Sequence, residues 1–151
     1  REIQTDTRLD LFAAMPPLET LRMLTSMCAR GQNRAKPLRM ATIDIKRVYF
    51  YAPVRREVFI SIPAEDWQAG DEGKVARLNL SLYGTRDAAH NWTAAYTQHL
   101  ESNGFKCGYA SPCNVHHATR GISLTVHGDD FLVVADDQGL QWLKNRMEAK
   151  Y

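Results

Sequence analysis

Hydrophobic positions recur along this chain with two periods. Leu18, Leu21, Leu24 and Cys28 fall at helical spacing behind Pro16 and Pro17, whose missing amide donors are tolerated in a first helical turn, and Gly31 marks the predicted stop. The polar, basic stretch with Gln32, Asn33, Arg34 and Lys36 reads as a loop into 38–45. There Leu38, Met40, Thr42 and Asp44 alternate with Arg39, Ala41, Ile43 and Ile45, a strand pattern that delivers Asp44 near a strand end. The runs 57–62, closed by Pro63, and 75–80, reached through Gly70, Asp71 and Gly73, predict a hairpin-like pair. From 87 to 103 the period turns helical, with Ala89, Trp92, Ala95, Tyr96, His99 and Leu100 on one face and Asn103-Gly104 as the stop. Two strands are predicted at 115–118 and 122–127, joined through Arg120-Gly121, and a buried-type strand at 131–134. Gly128-Asp129-Asp130 would form the turn before it, and Asp136 or Asp137 would cap a last helix bearing Leu140, Leu143 and Met147. Strands and helices interleave, so the expected class is α+β, an antiparallel sheet with helices packed on one face.

With 151 residues and 44% hydrophobic content, the chain can build one core of ordinary size, and one domain over 1–151 is expected. A net charge of +2 gives no global basic field, so any nucleic-acid binding must come from local patches. Three cysteines, Cys28, Cys107 and Cys113, form no secreted disulfide framework and favour a reducing, intracellular setting. Apolar runs of a few residues fall far short of the roughly 20 that span a bilayer, so no membrane association is expected. The chain starts without methionine and stops inside a helical pattern, which reads as a piece of something longer.

The candidate chemistry lies in Gly128-Asp129-Asp130. Two adjacent carboxylates in a tight turn repel each other, and a divalent cation such as Mg²⁺, which takes hard oxygen ligands, would reward their placement. Asp44, at another strand end, offers a third. Nucleotidyl transfer uses two such ions about 3.5–4 Å apart. Acid pairs are also commonplace in solvated turns, as Asp136-Asp137 illustrates, so this pair alone decides little.

The rest of the chain changes that balance. Asp44-Ile45-Lys46-Arg47-Val48-Tyr49 resembles the first palm motif of reverse transcriptases of copia-type retrotransposons, an aspartate followed five residues on by an aromatic. Ser81-Leu82-Tyr83-Gly84-Thr85-Arg86-Asp87-Ala88-Ala89, then Trp92, resembles their second motif, which opens a helix. Val126-His127-Gly128-Asp129-Asp130 stands where the family carries Tyr-Val-Asp-Asp, and Asp10-Leu11-Phe12-Ala13 extends the likeness over nearly the whole chain. The resemblance implies a reverse-transcriptase-like palm with part of the fingers, a fragment of a Pol polyprotein. The later palm strands, thumb and ribonuclease H domain would follow Tyr151. It implies RNA-directed DNA polymerase activity with Mg²⁺ or Mn²⁺. Asp44 and Asp129 would ligate both metals, with Asp130 beside them.

By the same resemblance Ile45, Tyr49, Gly84 and Arg86 would meet the nucleotide. Tyr49 would lie under the sugar and exclude a 2′-hydroxyl, Gly84 would let the backbone approach, and Arg86 would meet phosphate. From spacing alone, Tyr49 reads equally as a core aromatic on a short helix, Gly84 as a simple turn glycine, and Trp92, Tyr96 and Leu100 as core. The implied partners are an RNA or DNA template with its primer, deoxynucleoside triphosphates and the remainder of the polyprotein, in a cytoplasmic particle or the nucleus.

This chain departs from the family pattern at His127, Gly128 and Ala89, where the family has Tyr, Val and Pro, and at Tyr51-Ala52, where it tends to Asn-Gly. Gly128 is expected to loosen the hairpin tip, and the lost proline the helix start. Three rival readings follow. Cys107, Cys113, His116 and His117 offer zinc-type ligands but lack the short paired spacing of a zinc knuckle. A palm remnant that no longer polymerises would keep the fold, as a folded or nucleic-acid-binding module. A nucleotide cyclase would share the metal acids but not the Ser-Leu-Tyr-Gly helix start.

Overall fold

The computed structural model describes Ala13 and residues 15–151. Their elements are α1 (Leu18–Arg30), β1 (Arg39–Asp44), β2 (Phe59–Ser61), β3 (Val75–Arg77), α2 (Ala88–Ser102), β4 (Lys106–Cys107), β5 (Asn114–His117), β6 (Ile122–His127), β7 (Asp130–Ala135) and α3 (Asp137–Glu148). The motif residues Asp10, Leu11 and Phe12 lie outside the described residues. Two compact units emerge: Arg47–Ala95, and Ala13–Lys46 with Tyr96–Tyr151, so that the boundary falls within α2.

The larger unit is built on a five-stranded sheet in the order β1-β7-β6-β5-β4, with every neighbouring pair antiparallel. Strand alternation sends Ile122, Leu124 and Val126 of β6 and Phe131, Val133 and Ala135 of β7 to one face, where all six are buried. The second half of α2 and α3 cover that face. The Tyr96 ring meets Phe131 edge-on at 5.6 Å. α3 comes so close that a Cβ on Gly139 would sit 3.0 Å from that of Ala135. Asp136, not Asp137, is the cap: its carboxylate accepts the Gly139 amide at 2.7 Å.

α1 lies on the other face. Asn114 donates to Thr20 Oγ1 at 2.9 Å and accepts from Thr125 Oγ1 at 2.8 Å, a ladder of polar groups running from helix to central strands. The helices therefore pack on both faces of the sheet rather than one. Ser123 and Thr125 are polar, yet hydrogen bonding under α1 lets them be buried. α1 stops at Gly31, where a Cβ would meet the Leu38 side chain at 2.5 Å. Of its expected apolar stripe only Leu24 is buried, while Leu18 and Leu21 stay 56% and 45% exposed.

In the smaller unit β2 and β3 pair antiparallel through Phe59↔Arg77, Ile60↔Ala76 and Ser61↔Val75, as the alternation predicts, though both strands are shorter than their runs. Val48, Ala52, Val58, Ala88 and Trp92 are buried there, with the polar Ser81, Asp87 and Asn91.

Candidate active site

The β6–β7 hairpin brings the acids to one end of the larger unit's sheet. His127 pairs with Asp130, so Gly128 and Asp129 form a two-residue turn. Gly128 has φ +66°, and Asp129 is not among the positive-φ residues. That is the pattern of a type II′ hairpin, which favours glycine at its first central position. Gly128 thus fits the tip rather than loosening it.

β1 supplies the third acid. Asp44 pairs directly with Asp130, and beyond the strand end the Ile45 amide donates to the Asp129 carbonyl at 3.3 Å. Directly opposed residues share a face with Cβ atoms about 4.5–5.5 Å apart, where like charges destabilise. Asp44, Asp130 and His127 therefore form one cross-strand row, with Asp129 in the adjoining turn. All three carboxylates are exposed, and none has an ion pair or hydrogen bond among the described residues. Their oxygens are the right donor type for a hard divalent cation. As they stand, however, no group of three His, Cys, Asp or Glu side chains among the described residues converges to hold one. Beside the row, Thr42, Thr125, Leu132, Asp130 and His127 floor a cleft of about 460 Å³ walled by Pro16, Pro17, Leu18 and Leu21. Ile45 itself is buried at 6% exposure, so only its backbone faces the acid turn.

Tyr49, Gly84 and Arg86 belong to the smaller unit. Tyr49 lies in a 3-10 turn, Val48–Tyr51, half-buried rather than in the core. Its ring lies 4.5 Å from that of Tyr83, which also meets Phe50 edge-on at 5.9 Å. Gly84 has φ +93° with open space where a Cβ would be, so the backbone turn itself calls for glycine. Arg86 is half-buried.

Arg56, Asp87 and Asn91, to which the sequence assigns no role of their own, hold the second motif together. Arg56 donates to Asp87 Oδ1 at 3.1 Å, and Asn91 Nδ2 donates to both Asp87 Oδ2 at 3.0 Å and Ser81 Oγ at 3.1 Å. The Ser81 amide in turn donates to the Ala52 carbonyl at 2.8 Å. Burial pushes the Asp87 carboxyl up, but hydrogen bonds from Arg56 and Asn91 outweigh it and hold the group below the ordinary carboxylate range. This network ties down the helix start that lacks the family's proline. The one signal in the sequence was the i, i+4 spacing of Asp87 and Asn91.

The zinc set does not assemble. His116 and His117 alternate across β5, where their Nδ1 atoms pair with Ser123 Oγ at 3.0 Å and Thr119 Oγ1 at 3.2 Å. Cys113 is buried and Cys107 half-buried, and burial pushes the Cys107 thiol up, away from the thiolate a metal needs. No described helix is long and apolar enough to cross a membrane.

The reverse transcriptase (RNA-dependent DNA polymerase) family model matches residues 1–151. The Retrovirus-related Pol polyprotein from transposon TNT 1-94 of Nicotiana tabacum is 25% identical over 134 residues, covering 87% of this chain and 10% of that protein. The chain thus spans about a tenth of the length of this relative. No solved structure matches. A family match over every residue establishes that the chain belongs to the reverse transcriptase family.

Proposed function

We propose that the chain is the palm and partial fingers of a copia-type reverse transcriptase that performs nucleotidyl transfer with two divalent ions. The observation that carries this is the pairing of Asp44 with Asp130 beside Asp129, three exposed carboxylates without an internal cation among the described residues. Folded proteins seldom oppose like charges without return, and a polymerase supplies one. Asp44 and Asp129 would hold both ions, Mg²⁺ or Mn²⁺, with Asp130 beside them. Holding a metal would require these exposed side chains to turn toward one another from the positions they occupy here. When bound, the ions lower the barrier by activating the attacking hydroxyl and neutralising the leaving oxygens.

The chain's own residues position the substrates. In this reading Gly84, Arg86 and Tyr49 of the smaller unit would meet the nucleotide, Gly84 through a left-handed turn open where a Cβ would be, Arg86 at phosphate and Tyr49 at the sugar. Ile45 contributes its backbone beside Asp44. Template, primer and deoxynucleoside triphosphates are the substrates. The remaining palm, thumb and ribonuclease H domain come from the rest of the Pol polyprotein, inside the cell in a particle or the nucleus.

The test is primer extension on an RNA template with Mg²⁺ or Mn²⁺, using this sequence within a longer Pol chain, beside Asp129→Asn. Extension that falls at least about 10²-fold in the variant supports the reading, by analogy with the loss of one electrostatic stabiliser in other active sites. A folded longer chain that binds template and primer but extends neither would assign the chain to an inactive remnant.

A further inference from the structure

At the opposite end of the sheet from the acids lies a cluster of cations. Arg30 ends α1, Arg34 and Lys36 stand in the following loop, and Arg120 stands in the β5–β6 connection; all four are exposed. Two adjoining hollows, of about 540 and 320 Å³, share Arg34 as a common wall; the first includes Arg30 and the second Lys36 and Arg120. β6 is six residues long, which at about 3.3 Å per residue sets this cluster roughly 20 Å from the acid turn.

No internal ion pair offsets the cluster among the described residues. Arg30, Arg34 and Arg120 have no carboxylate partner among the described residues, and Lys36 donates only to the neutral Gln138 amide, at 3.0 Å. The acid that lines the second hollow, Asp136, accepts the Gly139 amide through Oδ1 at 2.7 Å and forms no ion pair with the cluster among the described residues. Neighbouring Arg39, by contrast, is paired with Asp137 at 3.7 Å. Arg120 is also held in place, its guanidinium 4.1 Å from the centre of the Trp142 ring. A cation at the end of α1 is suited to the helix dipole, which accounts for Arg30. It does not account for Arg34, Lys36 or Arg120.

We propose that this surface grips the phosphodiester backbone of a nucleic acid, a second anchoring point separate from the candidate catalytic end. The choice of nucleic acid over another polyanion rests on the polymerase reading above. Four clustered cations, three of them with planar guanidinium donors, suit successive phosphates, and their local concentration compensates for a chain whose net charge is only +2.

The experiment is fluorescence anisotropy of the 151-residue chain with a labelled RNA–DNA duplex in EDTA, read as the slope of log affinity against log salt. Every phosphate that a substitution leaves without its cation takes about 0.9 from a duplex slope, so Arg34→Gln with Arg120→Gln should flatten it by about 2. The control, Arg77→Gln with Lys144→Gln, removes the same charge from side chains already paired with Glu57 and Glu148, and should leave the slope unchanged. Equal effects from both pairs, no effect from either, or binding of anionic vesicles but not duplex would overturn the proposal. The outcomes stay separable from the polymerase reading. Duplex binding through Arg34 and Arg120 without primer extension would keep this surface and lose the polymerase; extension with an unchanged slope would do the reverse.

Discussion

Asp87 and the Asp44–Asp130 pair are both carboxylates in motifs of one family, yet their surroundings are opposite. Asp87 is buried and tied to Arg56 and Asn91, so every oxygen is used inside the fold. Asp44 and Asp130 are exposed, face each other, and pair with no cation among the described residues. The first arrangement stabilises; the second costs stability and leaves oxygens free for something from outside. A carboxylate's partners, more than its motif, separate the structural acid from the candidate chemical one.

The sharpest way to break this contrast is substitution. Asp87→Ala should destabilise the chain by about 2–3 kcal/mol in urea unfolding, somewhat less than breaking a fully buried pair costs because Arg56 keeps some solvent contact. Asp129→Asn should change stability by no more than about 0.5 kcal/mol, as for an ordinary surface site. If both cost the same, the division of labour is wrong. A smaller effect is expected at the turn that holds the acids. Gly128→Val, which installs the residue usual in the family, should cost about 1–2 kcal/mol, because a β-branched residue is strained at φ +66°. A neutral result in the same unfolding assay would mean the tip readily adopts another conformation.

The smallest effect is pH dependence. The Asp87 pKa is lowered on folding, so its stabilisation is complete above the unfolded carboxylate value, near 3.8, and is lost as pH falls through the lower folded value. Acid unfolding of the wild type should therefore be steeper in that window than that of Asp87→Asn, by melting temperature against pH. Coincident curves would remove Asp87 from the acid response.

What could be read in the sequence was local. The periodicity of α2, the apolar runs of β6 and β7, the Asp136 cap and the acids in a hairpin turn all depend on residues close together along the chain. The misreadings came from contacts between distant segments. α1 covers the polar side of the sheet through Thr20 and Asn114, which are far apart in sequence, so the expectation of helices on one face missed it. β4 is two residues long and carries no pattern of its own. Arg56 reads as one more surface cation until the fold sets it against Asp87. Gly128 was legible as a departure from the family, but its meaning waited on a backbone angle.

The pairing of β1 with β7 carries a further consequence. β1 is weakly marked by hydrophobicity, since none of its residues is fully buried and either side could pass for the inner one. In a strand of period two, a slip of one residue would turn Asp44 to the face where Phe131 packs and leave Asp130 without its neighbour. What opposes the slip is Ile45, buried just past the strand end with its amide on the Asp129 carbonyl. A buried apolar residue thus acts as the detent that sets which way the catalytic candidate points, and selection on the chemistry would reach Ile45 through alignment as well as through any contact.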